Sequence, residues 1–510
     1  MDKFKDLKDI FWLILSSLII LTSIILGLSL KESVFFSYDM PRVALKVQEY
    51  LESGTYMTSQ YFFSESSWLN VAWGPALIFF YALLIKISPD PIIVSYILTL
   101  LNSVAVLAII AAGWRNFSPK VGVIAGAFLA LNPYLFTYSR IIYQPSPLTF
   151  FIPISIYFYF EAIKHKSYAL VLLPILWVIM FQIYIPIFSF ILVTILFLLF
   201  YLRRKDYKFM ILGILMSTIF MLPSFVFYKE NPIYISRFFE APSHFNPREK
   251  EFIERGKNVL DSFIKLPIGG MFKWQTGNSY KDFVSQKIPV YEKASSILVL
   301  FFVLSLVFEV YISIKNKDAK RGVVVAWTSC ALWYLNILWT IDLVPRYFLL
   351  SIPPAMLLIS IFINDIFVSF GKNIYLKLII YLLPLVISLY WLLFNIYYND
   401  FIKNYNFPYG WFSDIAETPY IYIKNSIDFV INDSIKNNCT PVISNDIENP
   451  NFVLWMETEY PWKYIYKEKI DINIEGEKCH YLISHISTFR NNENFVKYEQ
   501  MGPFGVSRND

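Results

Sequence analysis

Four short stretches place ionisable or polar side chains where chemistry is possible in an otherwise apolar chain. The first is Ser37-Tyr38-Asp39-Met40-Pro41-Arg42, directly after the first hydrophobic segment. The second is Phe62-Phe63-Ser64-Glu65-Ser66-Ser67-Trp68, and the third Tyr138-Ser139-Arg140-Ile141-Ile142-Tyr143-Gln144-Pro145. The fourth is Asp342-Leu343-Val344-Pro345-Arg346-Tyr347. A carboxylate such as Asp39 or Glu65 can take a proton from an attacking hydroxyl. Guanidinium forks such as Arg140 and Arg346 match phosphate oxygens, with Lys229 and Arg237 on the same face adding charge. Each stretch also has a plainer reading. Asp39 with Pro41 is an ordinary helix start, Glu65 an ordinary solvated loop carboxylate, and either arginine a snorkelling side chain at a membrane interface. Arg42 is placed to tune the Asp39 carboxylate. No metal-ligand spacing, Gly-rich phosphate loop or serine nucleophile elbow occurs, so hydrolase and nucleotidase chemistry has little support. No cofactor is required by the pattern, and a divalent metal has no ligand spacing behind it.

These residues must be positioned by a membrane-embedded scaffold. The chain has 510 residues, 56% hydrophobic and 19% aromatic, with only 16% charged, against about 25% charged in a soluble globule. A net charge of +5 spread over many loops gives no nucleic-acid footprint. Stretches of about 20 apolar residues recur roughly eleven times, near 10–30, 92–113, 121–139, 147–163, 168–184, 185–202, 209–228, 295–314, 322–341, 347–367 and 376–397. The first has no small-x-small cleavage site and reads as a retained anchor. Internal prolines, Pro133, Pro153, Pro174, Pro223 and Pro384 among them, are tolerable within a bundle.

The apolar run Ala76 to Ile87 reaches only about 18 Å as a helix, short of the roughly 30 Å hydrocarbon core, so it suits an interfacial or dipping helix. If it does not cross, the short basic loops 115–120, 164–166, 203–208, 315–321 and 372–377 all share the side of Lys3, Lys5 and Lys8, as the positive-inside rule asks. The opposite, outer side then holds loops 31–91 and 229–294, Arg140, Arg346 and the tail. The expected architecture is an α-helical polytopic membrane domain, 1–397, followed by a small extracytoplasmic α/β domain, 398–510. In the latter, 421–435 reads as helix, and 441–444 and 481–486 as strands. Cys439 and Cys479 there are either a disulfide or two unpaired thiols, while Cys330 lies in an apolar run.

Four landmarks together resemble a known family. They are Tyr38-Asp39-Met40-Pro41-Arg42 leading into a helix closed by Leu51-Glu52-Ser53-Gly54, the outer Ser139-Arg140, the late Pro345-Arg346-Tyr347-Phe348-Leu349-Leu350-Ser351-Ile352-Pro353-Pro354, and the C-terminal domain. The ensemble, covering nearly the whole chain, is similar to the GT-C superfamily of integral-membrane glycosyltransferases, in particular the protein O-mannosyltransferase and lipid A aminoarabinose transferase branch. That resemblance implies an inverting hexosyl or pentosyl transfer from a polyprenyl-phosphate-linked sugar to a lipid, glycan or protein acceptor, at the outer face of the plasma membrane of the cell envelope. Asp39 matches the family's catalytic aspartate and Arg346 the arginine of its late motif. Arg140 and Arg346 would bind donor phosphate, with Arg42, Glu65, Tyr347 and Gln144 as further substrate-binding candidates. Gln144 stands where many relatives carry an acid, which removes one carboxylate from the expected set.

A transporter or flippase of lipid-linked sugars, or a catalytically silent homologue, is the alternative. Transporters show internal repeats and midplane charges, whereas Glu161, Glu309 and Asp365 lie near span ends here. The topology makes a direct prediction. A cysteine introduced at Ser279 is labelled by an impermeant maleimide in intact cells; protection until lysis would invert the assignment.

Overall fold

The computed structural model describes residues 2–36, 39–53, 74–230, 232, 249–266, 288, 291–337, 345–369, 374–404, 420–444, 478–485, 497–501 and 504–509. Helices dominate. In chain order they are α1 (Asp2–Ser29), α2 (Asp39–Ser53), α3 (Ala76–Ile85), α4 (Pro91–Asn116), α5 (Pro119–Leu131), α6 (Pro133–Tyr138), α7 (Leu148–Ala162), α8 (Ser167–Ile183), α9 (Phe188–Leu199), α10 (Tyr207–Glu230) and α11 (Glu249–Ile264). They continue as α12 (Tyr291–Asn316), α13 (Ala319–Thr328), α14 (Cys330–Ile337), α15 (Ile352–Ser369), α16 (Ile374–Asn404) and α17 (Tyr420–Lys436). Among them, 6 are long and apolar enough to cross a membrane, and α3, α5, α7, α8 and α9 are shorter apolar helices. The protein is a polytopic helical membrane protein.

The helix starts are written in the sequence. Asp90, Ser118 and Asn132 each precede a proline at the first helical position, and each side chain accepts a hydrogen bond from a first-turn amide, at 2.8, 3.2 and 3.1 Å. Proline fits there because the amide it lacks has no intrahelical partner. The expected span 121–139 is consequently two helices. Pro133 cannot donate to the α5 ladder, so Asn132 ends one helix and caps the next. The span 322–341 is likewise broken at Ser329, where the Ala331 amide donates instead to Ser351 Oγ at 3.1 Å. The prolines within α7, α8, α10 and α16 leave those helices continuous. Helix α16 runs from Ile374 through residue 397 to Asn404.

Helices α4 and α5 form a close hairpin. A Cβ on Gly122 would lie 2.4 Å from Ile110 O, and one on Gly113 2.7 Å from Gly122 Cα. Small residues here allow backbone approach without a hydrophobic drive between helices. On α1, α10, α12 and α16, large apolar side chains such as Leu21, Leu215, Leu300 and Val386 are exposed, whereas α15 is enclosed nearly throughout. The exposed set is the belt that lipid tails would cover.

At the end carrying the short basic loops, buried acids are paired. Arg321 donates to Glu309 at 2.8 Å, to both oxygens of Asp365, and lies 3.3 Å from Asp318, stapling α12, α13 and α15. Glu161 is met by Arg115, Lys164 and the Tyr168 hydroxyl. Such pairing is what permits an ionisable group at membrane depth.

After α16, helix α17 packs on a sheet ordered β1-β2-β4-β3, from β1 (Thr440–Ser444), β2 (Lys478–His485), β3 (Lys497–Met501) and β4 (Phe504–Asn509). Strands β1 and β2 are parallel, and β4 is antiparallel to β2 and β3. The helix and the first two strands coincide with the sequence expectation to within three residues. Strands β3 and β4, too polar to show a clear alternation, do not appear in it. Of the two cysteine readings the disulfide is realised, with Cys439 and Cys479 bridged at a Cα separation of 5.7 Å. Gly122→Val is expected to destabilise the purified protein by about 1–3 kcal/mol through overpacking at α4–α5; an unshifted thermal unfolding midpoint would refute that tight crossing.

Candidate active site

The proposed outer end is assembled from the α1–α2 connector, α3, the loop 139–147 and the turn leading into α15. After α1 the chain makes a 3-10 turn, Lys31–Ser33, and then runs through Val34, Phe35 and Phe36, all buried, towards α2. Asp39 is the first residue of α2; its side chain, like the whole of Ser37, Tyr38 and Glu65, lies outside the described residues, as do Arg237 and the 54–73 segment. Helix α2 is amphipathic by sequence. Met40, Val43, Ala44 and Val47 are buried, and Tyr50 meets Phe79 of α3 edge-on at 5.5 Å. Arg42 is half-buried on this helix.

Helix α3 reaches the next element through one phenol. The Tyr81 hydroxyl donates to Tyr143 O at 2.7 Å and accepts from Tyr143 N at 3.0 Å, so a single side chain satisfies both backbone groups of a loop residue. The same loop is tied from below. Asn102 donates to Ser139 O at 2.9 Å and accepts from Thr149 Oγ1 at 2.9 Å. Buried loop backbone needs such partners because water is excluded.

Tyr143, fixed this way, accepts a hydrogen bond from Arg346 Nη1. The Arg346 guanidinium also lies 5.5 Å from the Tyr347 ring centre. Tyr347 is stacked with Tyr184 at 6.1 Å and tilted against Tyr334 at 6.3 Å. Arg346 is half-buried rather than sealed, so the described residues place one partly accessible guanidinium on an aromatic wall. Gln144, next to Tyr143, is half-buried, and its amide nitrogen is buried with no hydrogen-bond partner among the described residues.

Arg140 departs from its sequence assignment. It is 1% exposed, donates to Leu30 O and, at 3.1 Å, to Ser33 Oγ, and lies 4.5 Å over the Phe136 ring. The guanidinium faces the end of α1 instead of an open pocket. The adjoining cavity, ≈ 20 Å³, holds about one water. Lys229 is exposed at the end of α10. The structure thus joins Arg346, Tyr347 and the Gln144 loop, links them through α3 to the helix that Asp39 opens, and sets Arg140 apart.

Residues that sequence reasoning passed over include Tyr81, Tyr143, Tyr184 and Asn399. Asn395 and Asn399, one turn apart in a late apolar helix, gave a legible signal, since amides on one helical face in a span are there to meet a partner. Among the described residues, no group of three His, Cys, Asp or Glu side chains is placed to hold a metal.

No protein-family model and no curated protein matches the sequence. Solved structures do match. ArnT from Cupriavidus metallidurans in the apo state is similar over 99% of this chain and 98% of its own, with a TM-score of 0.57 at 10% identity. The same protein bound to undecaprenyl phosphate is similar over 97% of this chain and 98% of its own, with a TM-score of 0.56 at 10% identity. The Archaeoglobus fulgidus oligosaccharyltransferase in the apo form is similar over 97% of this chain and 74% of its own, at a TM-score of 0.50 and 10% identity. The likeness extends over the membrane helices and the C-terminal unit together, and the chain has the GT-C fold.

Proposed function

We propose that the chain is an inverting glycosyltransferase that moves a sugar from a polyprenyl-phosphate-linked donor to an acceptor hydroxyl at the outer face of the cell membrane. The observation that carries this reading is the end-to-end likeness to ArnT, a protein whose crystal structure with undecaprenyl phosphate shares the same fold. The half-buried Arg346 on its tyrosine wall supplies the local chemistry that such a donor needs. In this reading the N-terminus and basic loops are cytoplasmic, while α2, Arg346 and the disulfide-bonded C-terminal unit are outside. A disulfide persists in an oxidising compartment, which supports that side for residues 439 and 479.

The mechanism follows from the groups available. An acceptor hydroxyl is a weak nucleophile, and Asp39 takes its proton as oxygen attacks the anomeric carbon. The bond from that carbon to the donor phosphate oxygen breaks on the opposite face, inverting the centre. The departing lipid phosphate is an anion, and Arg346 stabilises it without having to supply a proton. Tyr347 and Gln144 contact the substrate, the latter offering a donor where a carboxylate would offer an acceptor. Arg42 and Glu65 flank the path by sequence and complete the candidate substrate contacts.

The test is incubation of purified protein with a panel of polyprenyl-phosphate sugars and candidate acceptors, scoring sugar loss and product. Asp39→Asn is expected to reduce turnover by about 10²–10⁴-fold while leaving the unfolding midpoint in place; undiminished turnover would sink the base assignment. Arg346→Ala is expected to raise the apparent donor KM by roughly 10–100-fold, the loss of a charge-assisted hydrogen bond. An unchanged donor KM would remove Arg346 from the phosphate site.

A further inference from the structure

We propose that Arg140 and Asn399 are positioning residues, which clamp the connector between α1 and α2 and thereby set where Asp39 begins its helix. The catalytic part of this inference rests on the function proposed above; the clamp itself rests on geometry alone.

The connector is short, irregular and buried, a combination that leaves backbone groups in need of partners. Several come from distant elements. Leu30 O accepts from Arg140 Nη2 and from Ser33 Oγ, the latter at 2.9 Å. Ser33 Oγ accepts from Arg140 Nη1 at 3.1 Å, and Ser33 N donates to Asn399 Oδ1 at 3.0 Å. Asn399 Nδ2 then donates to Glu32 Oε2 at 3.2 Å. One residue further, Val34 O accepts from Tyr420 N at 2.8 Å, and Phe36 meets the Tyr420 ring edge-on at 5.5 Å. The loop after α6, the end of α16 and the start of α17 therefore converge on residues 30–36.

Both clamp side chains are themselves held. Asn395, one turn before Asn399, donates to Leu131 O at 3.0 Å, which fixes α16 against the end of α5. Arg140 is anchored over Phe136, and its adjoining cavity of ≈ 20 Å³ is room for about one water, not a phosphate. A guanidinium with two of its nitrogens on the connector reaches donor phosphate only by releasing α1. The role this leaves it is to hold a path that ends, three residues after Phe36, at the proposed base. A base misplaced by about 1 Å loses on the order of 10²-fold in rate.

The experiment uses the full-length protein and reads two things, transfer kinetics and amide hydrogen exchange over residues 31–42 with α7 as the internal reference. Asn399→Asp sets a carboxylate against Glu32; adding Glu32→Gln restores a donor to face it. Expected for Asn399→Asp alone is a kcat reduced about 10–100-fold, a donor KM changed by less than about threefold, and faster exchange confined to 31–42. Expected for the double variant is recovery of both readouts, which general destabilisation would not allow. Arg140→Lys is expected to lower kcat with donor KM unchanged. A raised donor KM at unchanged kcat for Arg140→Lys, or no rescue by Glu32→Gln, would overturn the positioning role. If the unmodified protein transfers no sugar, the proposed function fails, and exchange alone decides the clamp: unaltered protection of 31–42 in Asn399→Asp refutes it.

Discussion

Inside a bilayer, a backbone group that leaves the helical ladder has no water to turn to, and this protein answers that constraint with polar side chains at several of its described breaks and loops. Asn132 and Ser351 receive the amides freed at the α5–α6 and α13–α14 breaks. Tyr81 receives both backbone groups of Tyr143, and Gln182 donates to Phe220 O in the turn before Pro223. Broken helices and inward loops exist because these polar side chains accompany them. The presentation of Arg346 depends on the same device, since its tyrosine partner sits on a loop that Tyr81 and Asn102 hold.

The two ends of the bundle use charge differently. Where the short basic loops gather, carboxylates and cations neutralise one another in compact groups around Arg321 and Glu161. At the other end, Lys46 and Arg508 pair with Glu49 and Asp433, whereas Arg346 and Arg140 meet aromatic rings, a phenol and a backbone carbonyl. Arg346 donates to the Tyr143 hydroxyl and lies over the Tyr347 ring, so a half-buried guanidinium is set on a wall of phenols. Arg140 shows the contrary use of the same side chain. Sealed among α1, α6 and Phe136, it substitutes for water at Leu30 and Ser33.

Much of this was legible in the residues. Hydrophobic length located the helices, and Asp-Pro, Ser-Pro and Asn-Pro pairs announced three of their starts. The break at Pro133 was visible as a proline but not as a new helix, because whether a bundle tolerates or exploits a proline depends on neighbouring partners. The contacts of Arg140 were not legible, because an arginine near a span end reads the same in sequence whether it snorkels, meets phosphate or, as here, donates to Leu30 O and Ser33 Oγ. Asp39 opens α2, the helix start that the Asp39-Met40-Pro41 order suggests. Aromatic residues are so common, at 19% of the chain, that the particular tyrosines around Arg346 could not be told from the rest before their contacts were known.

The hydrogen bond from Tyr420 N to Val34 O joins the start of the extramembrane helix α17 to the first stretch of chain after α1. Membrane helices are made and inserted from the N-terminus onward, yet this connector takes its final backbone partner from a residue synthesised after every membrane helix is complete. Its neighbour Ser33 waits similarly for Asn399. The segment that leads to Asp39 is therefore laid down first and locked last. Biogenesis of this protein has a built-in order, in which the connector gains its last backbone partner only after residue 420 has been made.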